Sequence, residues 1–89
     1  MVTKIEKQII QKLSKKYRAK RVLLFGSSLD SSKYNNDIDL AVEGIDSKFF
    51  FKYYGDLLIN LSKPVDLIDL SKTSKFIDLI KQEGFLLYG

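Results

Sequence analysis

Val22-Leu-Leu-Phe-Gly-Ser-Ser-Leu-Asp-Ser-Ser-Lys-Tyr-Asn-Asn-Asp-Ile-Asp-Leu-Ala-Val42 sets two apolar runs around a polar centre. Val22–Phe25 and Ile38–Val42 are each bounded by Gly, Ser, Asn and Asp, the pattern of short buried strands. Side chains alternate faces along a strand, so Asp37 and Asp39 point the same way while Ile38 and Leu40 enter the opposite layer. Two carboxylates about 7 Å apart on one face repel unless a cation lies between them. Mg²⁺ takes oxygen ligands and commonly uses one or two carboxylates together with substrate phosphates. The stretch therefore reads as a metal–phosphate site.

Working outward, Arg21 to Phe25 is the first strand, and Gly26 ends it. Residues 27–36 lack periodicity, can begin with a helical turn at Ser27, and close with the turn pair Asn35-Asn36. Asp37 to Val42 is the second strand. Upstream, Thr3 and Glu6 fit a capping box, and Ile5, Ile9, Ile10, Leu13 and Tyr17 form one stripe of a helix of about 13 residues. Downstream, Asp46 or Ser47 caps a second helix reaching about Leu61, with Phe49, Phe50, Tyr53, Leu57, Leu58 and Leu61 inward. Pro64 opens a third strand, Val65 to Leu70. Ser71 to Gln82 reads as a third helix with Phe76, Ile77 and Ile80 inward, stopped by Gly84. Phe85 to Tyr88 is a last strand. The order helix, strand, strand, helix, strand, helix, strand predicts a small α/β (α+β) domain. It has a mixed sheet of about four strands, and the later helices are expected to share one of its faces.

Composition narrows the chemistry. The 89 residues, read as a single domain over 1–89, are 45% hydrophobic and 29% charged, which suits a folded chain. There is no Cys and no His, which excludes disulfides, thiolate zinc sites, thiol catalysis and the commonest general base. Carboxylates, hydroxyls, lysines or a metal must carry any catalysis. No apolar run approaches the ~20 residues of a membrane span and no signal pattern opens the chain, so the expectation is a cytoplasmic protein with no membrane contact. The net charge of +4 is uneven. Residues 1–21 hold eight Lys or Arg against one Glu, and residues 22–89 hold seven Lys against ten Asp or Glu. A basic first third is compatible with an anionic partner or with a solvated helix face. It has no groove-reading motif and no aromatics interleaved among its lysines, so nucleic acid is not the expected partner.

Val65-Asp66-Leu67-Ile68 places a third carboxylate in an apolar strand, where it needs a partner or a metal. If that strand lies beside the second, Asp66 joins Asp37 and Asp39. Three carboxylates suffice for one or two Mg²⁺ ions against a triphosphate, the two-metal route to phosphoryl or nucleotidyl transfer. With no histidine, Asp66 is the group to accept the attacking hydroxyl's proton. Gly26-Ser27 adds close backbone approach, a hydroxyl and amides for an anion.

Gly26-Ser27, nine residues, then Asp37-Ile38-Asp39-Leu40 resembles the signature of the nucleotidyltransferase superfamily to which DNA polymerase beta belongs. The short length, the Asp66 strand and Ile80-Lys-Gln-Glu-Gly-Phe-Leu-Leu-Tyr88 look like the minimal nucleotidyltransferases. That resemblance implies metal binding and catalysis by Asp37, Asp39 and Asp66, and nucleotide contacts from Gly26 and Ser27 with Ser28 and Lys33 beside them. It also implies ATP and Mg²⁺, and a helical HEPN-type protein as toxin partner and acceptor of AMP, on a tyrosine, within a hetero- or homo-oligomer. Here Ser28 stands where many relatives carry Arg or a bulky residue, Asn36 where many carry Ser, and Lys33 is the loop's one cation. A non-catalytic module that neutralises its partner by contact is the rival reading. Five aromatics among Phe49–Tyr54 cannot all face one interior, which leaves a side for such a contact.

Overall fold

Helix α1, Lys4–Lys16, starts where Thr3 and Glu6 satisfy each other's amides. The Glu6 N–H donates to Thr3 Oγ1 at 3.1 Å and the Thr3 N–H to Glu6 Oε1 at 2.8 Å. The structure is a computed structural model and describes residues 2–26 and 37–89. Ile10 and Leu13 turn inward, while Ile5, expected on the same stripe, is exposed. At about 100° per residue Ile5 lies roughly 140° around the helix from Ile10, outside the buried sector.

The remaining elements are β1 (Arg21–Leu24), β2 (Ile38–Glu43), α2 (Ser47–Asn60), β3 (Val65–Asp69), α3 (Lys75–Glu83) and β4 (Phe85–Tyr88). The sheet order is β3-β2-β1-β4. β1 is antiparallel to β2 and β4, and β2 is parallel to β3. Asp46 caps α2 by accepting the Lys48 N–H at 3.1 Å. α3 starts four residues later than the sequence suggests. Ser74 Oγ is its cap, accepting the Ile77 N–H at 3.0 Å, and Asp69 Oδ1 draws Ser71 into a turn at 2.9 Å.

Val22–Leu24 of β1 and Leu40–Val42 of β2 are apolar without a break because both sheet faces are covered there. Val22, Leu24, Ile38, Leu40 and Val42 pack with Ile10 and Leu13 of α1 and with Tyr53 and Leu57 of α2. Leu23, Phe25 and Ala41 pack on the other face with Leu70 and with Ile77 and Ile80 of α3. The expectation that the later helices share one face is thus overturned, since α2 and α3 lie on opposite faces. Phe76, expected inward, stands half out and sets its ring edge-on to Phe25 with centroids 5.9 Å apart. Phe49 and Leu58 of α2 are likewise exposed. Gly84 stops α3, but at an ordinary φ of −64. A β-carbon there would meet the Ile80 carbonyl oxygen at 2.6 Å and Leu23 at 3.1 Å, so close packing of α3 on β1 is what calls for glycine.

Candidate functional site

Three strand ends meet at one end of the sheet. The Phe25 N–H donates to the Asp39 carbonyl at 3.1 Å, and the Ile38 N–H to the Pro64 carbonyl at 2.9 Å. Those bonds align the end of β1 with the starts of β2 and β3. In the parallel β2–β3 ladder Asp39 is the direct register partner of Asp66. Neighbouring strands lie about 4.8 Å apart, so the two carboxylates leave one face at one level. That is the face on which α3 packs, as Ala41 and Ile68 on the same strands show by their contacts there. Asp39 is half-buried and Asp66 exposed. Asp37 sits exposed in the bend immediately before β2, two positions from Asp39.

Gly26 completes the arrangement. It follows β1 with φ 64, in the left-handed region, and a β-carbon on it would lie 3.0 Å from Asp39 Oδ2. Glycine therefore does two things here, turning the chain sharply and letting its backbone reach the carboxylate. A small cavity of about 160 Å³ opens beside it, walled by Phe25, Phe76 and Leu79. Ser27, Ser28 and Lys33 lie outside the described residues.

The structure brings Gly26, Asp39 and Asp66 together on backbone grounds and keeps Asp37 adjacent. Among the described residues, no group of three or more carboxylates is drawn in closely enough to hold a metal ion. Like charges at one register level favour separated side chains, and closing them takes a compensating cation. Asp69, three positions beyond Asp66, accepts the Ser71 amide and belongs to the turn.

Two residues position the site in ways the sequence does not reveal. Tyr54 Oη donates to the Val65 carbonyl at 2.5 Å, tying α2 to the residue before Asp66. Pro64 supplies the carbonyl that sets the β2–β3 register. Neither carries a periodic or motif signal; each is visible only once the strands are paired. The two tyrosines with perturbed acidity lie on the far face of the sheet. Burial pushes Tyr53 up to about 12, and the hydrogen bond that Tyr17 donates to Asp56 raises Tyr17.

A mixed four-stranded sheet with an acidic pair at one end and a glycine turn against it defines a nucleotidyltransferase architecture. The chain matches the family described as polymerase beta, nucleotidyltransferase, over residues 7–89, and it belongs to that family. No curated protein matches it significantly in sequence. Among solved structures it resembles a toxin–antitoxin with AMP-PNP, at 28% identity and TM-score 0.76, over 93% of this chain and 73% of that one. It also resembles the toxin–antitoxin MntA–HepT, at 25% identity and TM-score 0.73, over 98% and 73%. A third neighbour is a mutant of such a pair with two Asp→Glu substitutions, at 28% identity and TM-score 0.72, over 94% and 72%.

Proposed function

We propose that this protein transfers AMP from ATP to a hydroxyl, a tyrosine, on a helical HEPN-type partner, as the antitoxin of a toxin–antitoxin pair. The observation that carries this reading is the register pairing of Asp39 with Asp66 beside the left-handed Gly26. It is supported by family membership, by the AMP-PNP in one neighbour and by the MntA–HepT pairing in another. The aspartates altered in the mutant neighbour stand two positions apart, the spacing of Asp37 and Asp39 here.

The donor set fits Mg²⁺. Asp37, Asp39 and Asp66 offer hard oxygens from neighbouring backbone positions, and glycine at 26 keeps a β-carbon from crowding Asp39. Bound there, Mg²⁺ would neutralise triphosphate charge and polarise the reacting phosphoryl group. Gly26 admits the phosphates close to its backbone. The acceptor oxygen attacks the α-phosphorus of ATP, a new P–O bond forms, and the bond to pyrophosphate breaks as pyrophosphate leaves. Asp66, exposed at the mouth of the site, takes the hydroxyl proton. Phe51 and Ile59, each 81% exposed on α2, give the partner an apolar surface to grip.

The test is intact-mass spectrometry of the HEPN-type partner after incubation with this protein, ATP and Mg²⁺. The reading expects a gain of AMP on the partner, abolished by Asp39→Asn with complex formation retained. A stable complex that silences the partner without mass gain would overturn it in favour of neutralisation by contact.

A further inference from the structure

At the other end of the sheet the fold assembles a basic cleft from two segments that the sequence keeps apart. It has a volume of about 530 Å³ and runs between the end of α1 and the start of α2, with Lys16, Arg18, Lys48, Lys52 and Phe49 among its walls. Gly44, after β2, also lines it. Gly44 is five residues from Asp39, roughly 16 Å at about 3.3 Å per residue, so the cleft is separate from the carboxylate end.

Arg18 is the telling residue. It has φ 60, a left-handed conformation that a β-carbon makes costly, and it is the one non-glycine residue with positive φ among the described residues. It occupies the position just past the Tyr17 cap of α1, where its N–H donates to the Lys15 carbonyl at 3.1 Å. Glycine is the usual occupant of that position because it turns the chain without strain. What arginine adds is a guanidinium at the cleft. Strain retained where glycine would serve points to use of the side chain.

The charge is available. Ion pairs among the described residues join Lys16 to Asp56, Arg21 to Glu43 and Lys63 to Glu6, leaving Arg18, Lys48 and Lys52 outside them. Lys16 reaches Asp56 only at 3.7 Å, with its side chain 65% exposed. One acid, Asp46, stands in the wall, but its carboxylate accepts the Lys48 amide as the cap of α2. Phe49 is 42% exposed, and Lys48 Nζ lies over its ring, 5.3 Å from the centroid.

We propose that this cleft binds a single strand of nucleic acid, with Lys16, Arg18, Lys48 and Lys52 on the phosphates and a base stacked on Phe49. Cations along a groove with an exposed aromatic face are the elements of single-strand binding, because every unpaired base has a π-face. An acidic peptide would meet the cations but leave the ring unused. A duplex would hide its bases from it.

Fluorescence anisotropy of the full chain with labelled 12-nucleotide RNA and DNA strands, across a salt series, tests this. Binding should weaken steeply with salt, with a log–log slope near −3 for about four phosphate contacts at roughly −0.7 each. Arg18→Gly should preserve or raise the melting temperature, weaken binding about fivefold or more, and reduce the slope by about 0.7. Phe49→Ala should weaken binding with the slope unchanged. Lys81→Ala, on α3 across the sheet, should bind as wild type. Equal RNA and DNA affinity would support backbone-and-stacking recognition, and RNA preference would support it with an added 2′-hydroxyl contact. The proposal is overturned by absence of binding at 50 mM salt, or by binding insensitive to Arg18→Gly and Lys52→Ala. Equal competition by polyglutamate would overturn it in favour of an acidic protein segment.

Discussion

Replacing Gly26 by alanine separates the site from the scaffold. The residue has φ 64, and a β-carbon would stand 3.0 Å from Asp39 Oδ2. The left-handed backbone costs alanine about 1–2 kcal/mol. The clash falls on the tip of a side chain, which can yield by a few tenths of an ångström. Total destabilisation should stay near 1–2 kcal/mol, a fall in melting temperature of about 5–15 °C for a chain this size. The carboxylate, however, moves from its place beside the phosphate path. A misplacement approaching 1 Å is worth on the order of 10²-fold in rate, so AMP transfer should fall about 10- to 100-fold at a temperature where the variant is folded. Gly44→Ala is the contrast. There φ is +95 and the β-carbon would lie 2.7 Å from the Lys20 backbone nitrogen, which cannot rotate away. That variant should lose more stability than Gly26→Ala, with transfer falling only as the folded fraction falls. Thermal denaturation and initial transfer rates, measured on both, decide the matter. A Gly26→Ala protein that transfers at the wild-type rate, or loses activity only in step with unfolding, would refute the placement of Gly26 against a working Asp39.

Asp66→Asn removes a like charge from directly beside Asp39. It should raise stability by a few tenths of a kcal/mol in denaturant titration while abolishing transfer, and a loss of stability would contradict the pairing. The Tyr53 hydroxyl donates to Ser14 Oγ at 2.8 Å, because the Ser14 proton is already given to the Ile10 carbonyl at 2.6 Å. Its folded pKa of about 12 exceeds the ordinary 10, so the stability it contributes is complete below pH 10 and is lost as pH rises towards 12. That loss is about 3 kcal/mol, and Tyr53→Phe should flatten this part of the alkaline unfolding profile. Thr3→Ala removes the hydroxyl that accepts the Glu6 amide and should cost about 1 kcal/mol, read as a lower denaturation midpoint with unchanged slope.

Local chemistry was readable where a single element carries it. The Thr3–Glu6 box and the alternation of Ile38, Leu40 and Val42 follow from spacing alone, and spacing narrows the cap of α2 to Asp46 or Ser47, of which the structure uses Asp46. Asp37, Asp39 and Asp66 are nameable for the same reason, but the register that sets Asp39 beside Asp66 pairs positions 27 residues apart. Periodicity gives Ile77 and Ile80 an inner face without saying which side of the sheet receives it, hence the surprise in α3. Hydrophobicity alone points Phe76 inward, yet Ile77 and Ile80 take the packed positions and leave its ring at the edge of Phe25. A glycine after β1 is legible, whereas its approach to Asp39 belongs to the assembled sheet. The basic cleft is the extreme case, since Arg18 and Lys52 meet only after α1 and α2 pack on one face.

Paramagnetic broadening by Mn²⁺ in the presence of AMP-PNP, followed residue by residue in amide spectra, tests the central claim most directly. The amides of Gly26, Asp37, Asp39 and Asp66 should broaden first, and Asp39→Asn should abolish the effect. Broadening centred on the Lys48–Lys52 end of α2, or spread evenly over the surface acids, would contradict a metal–nucleotide site at the β1–β2–β3 strand ends.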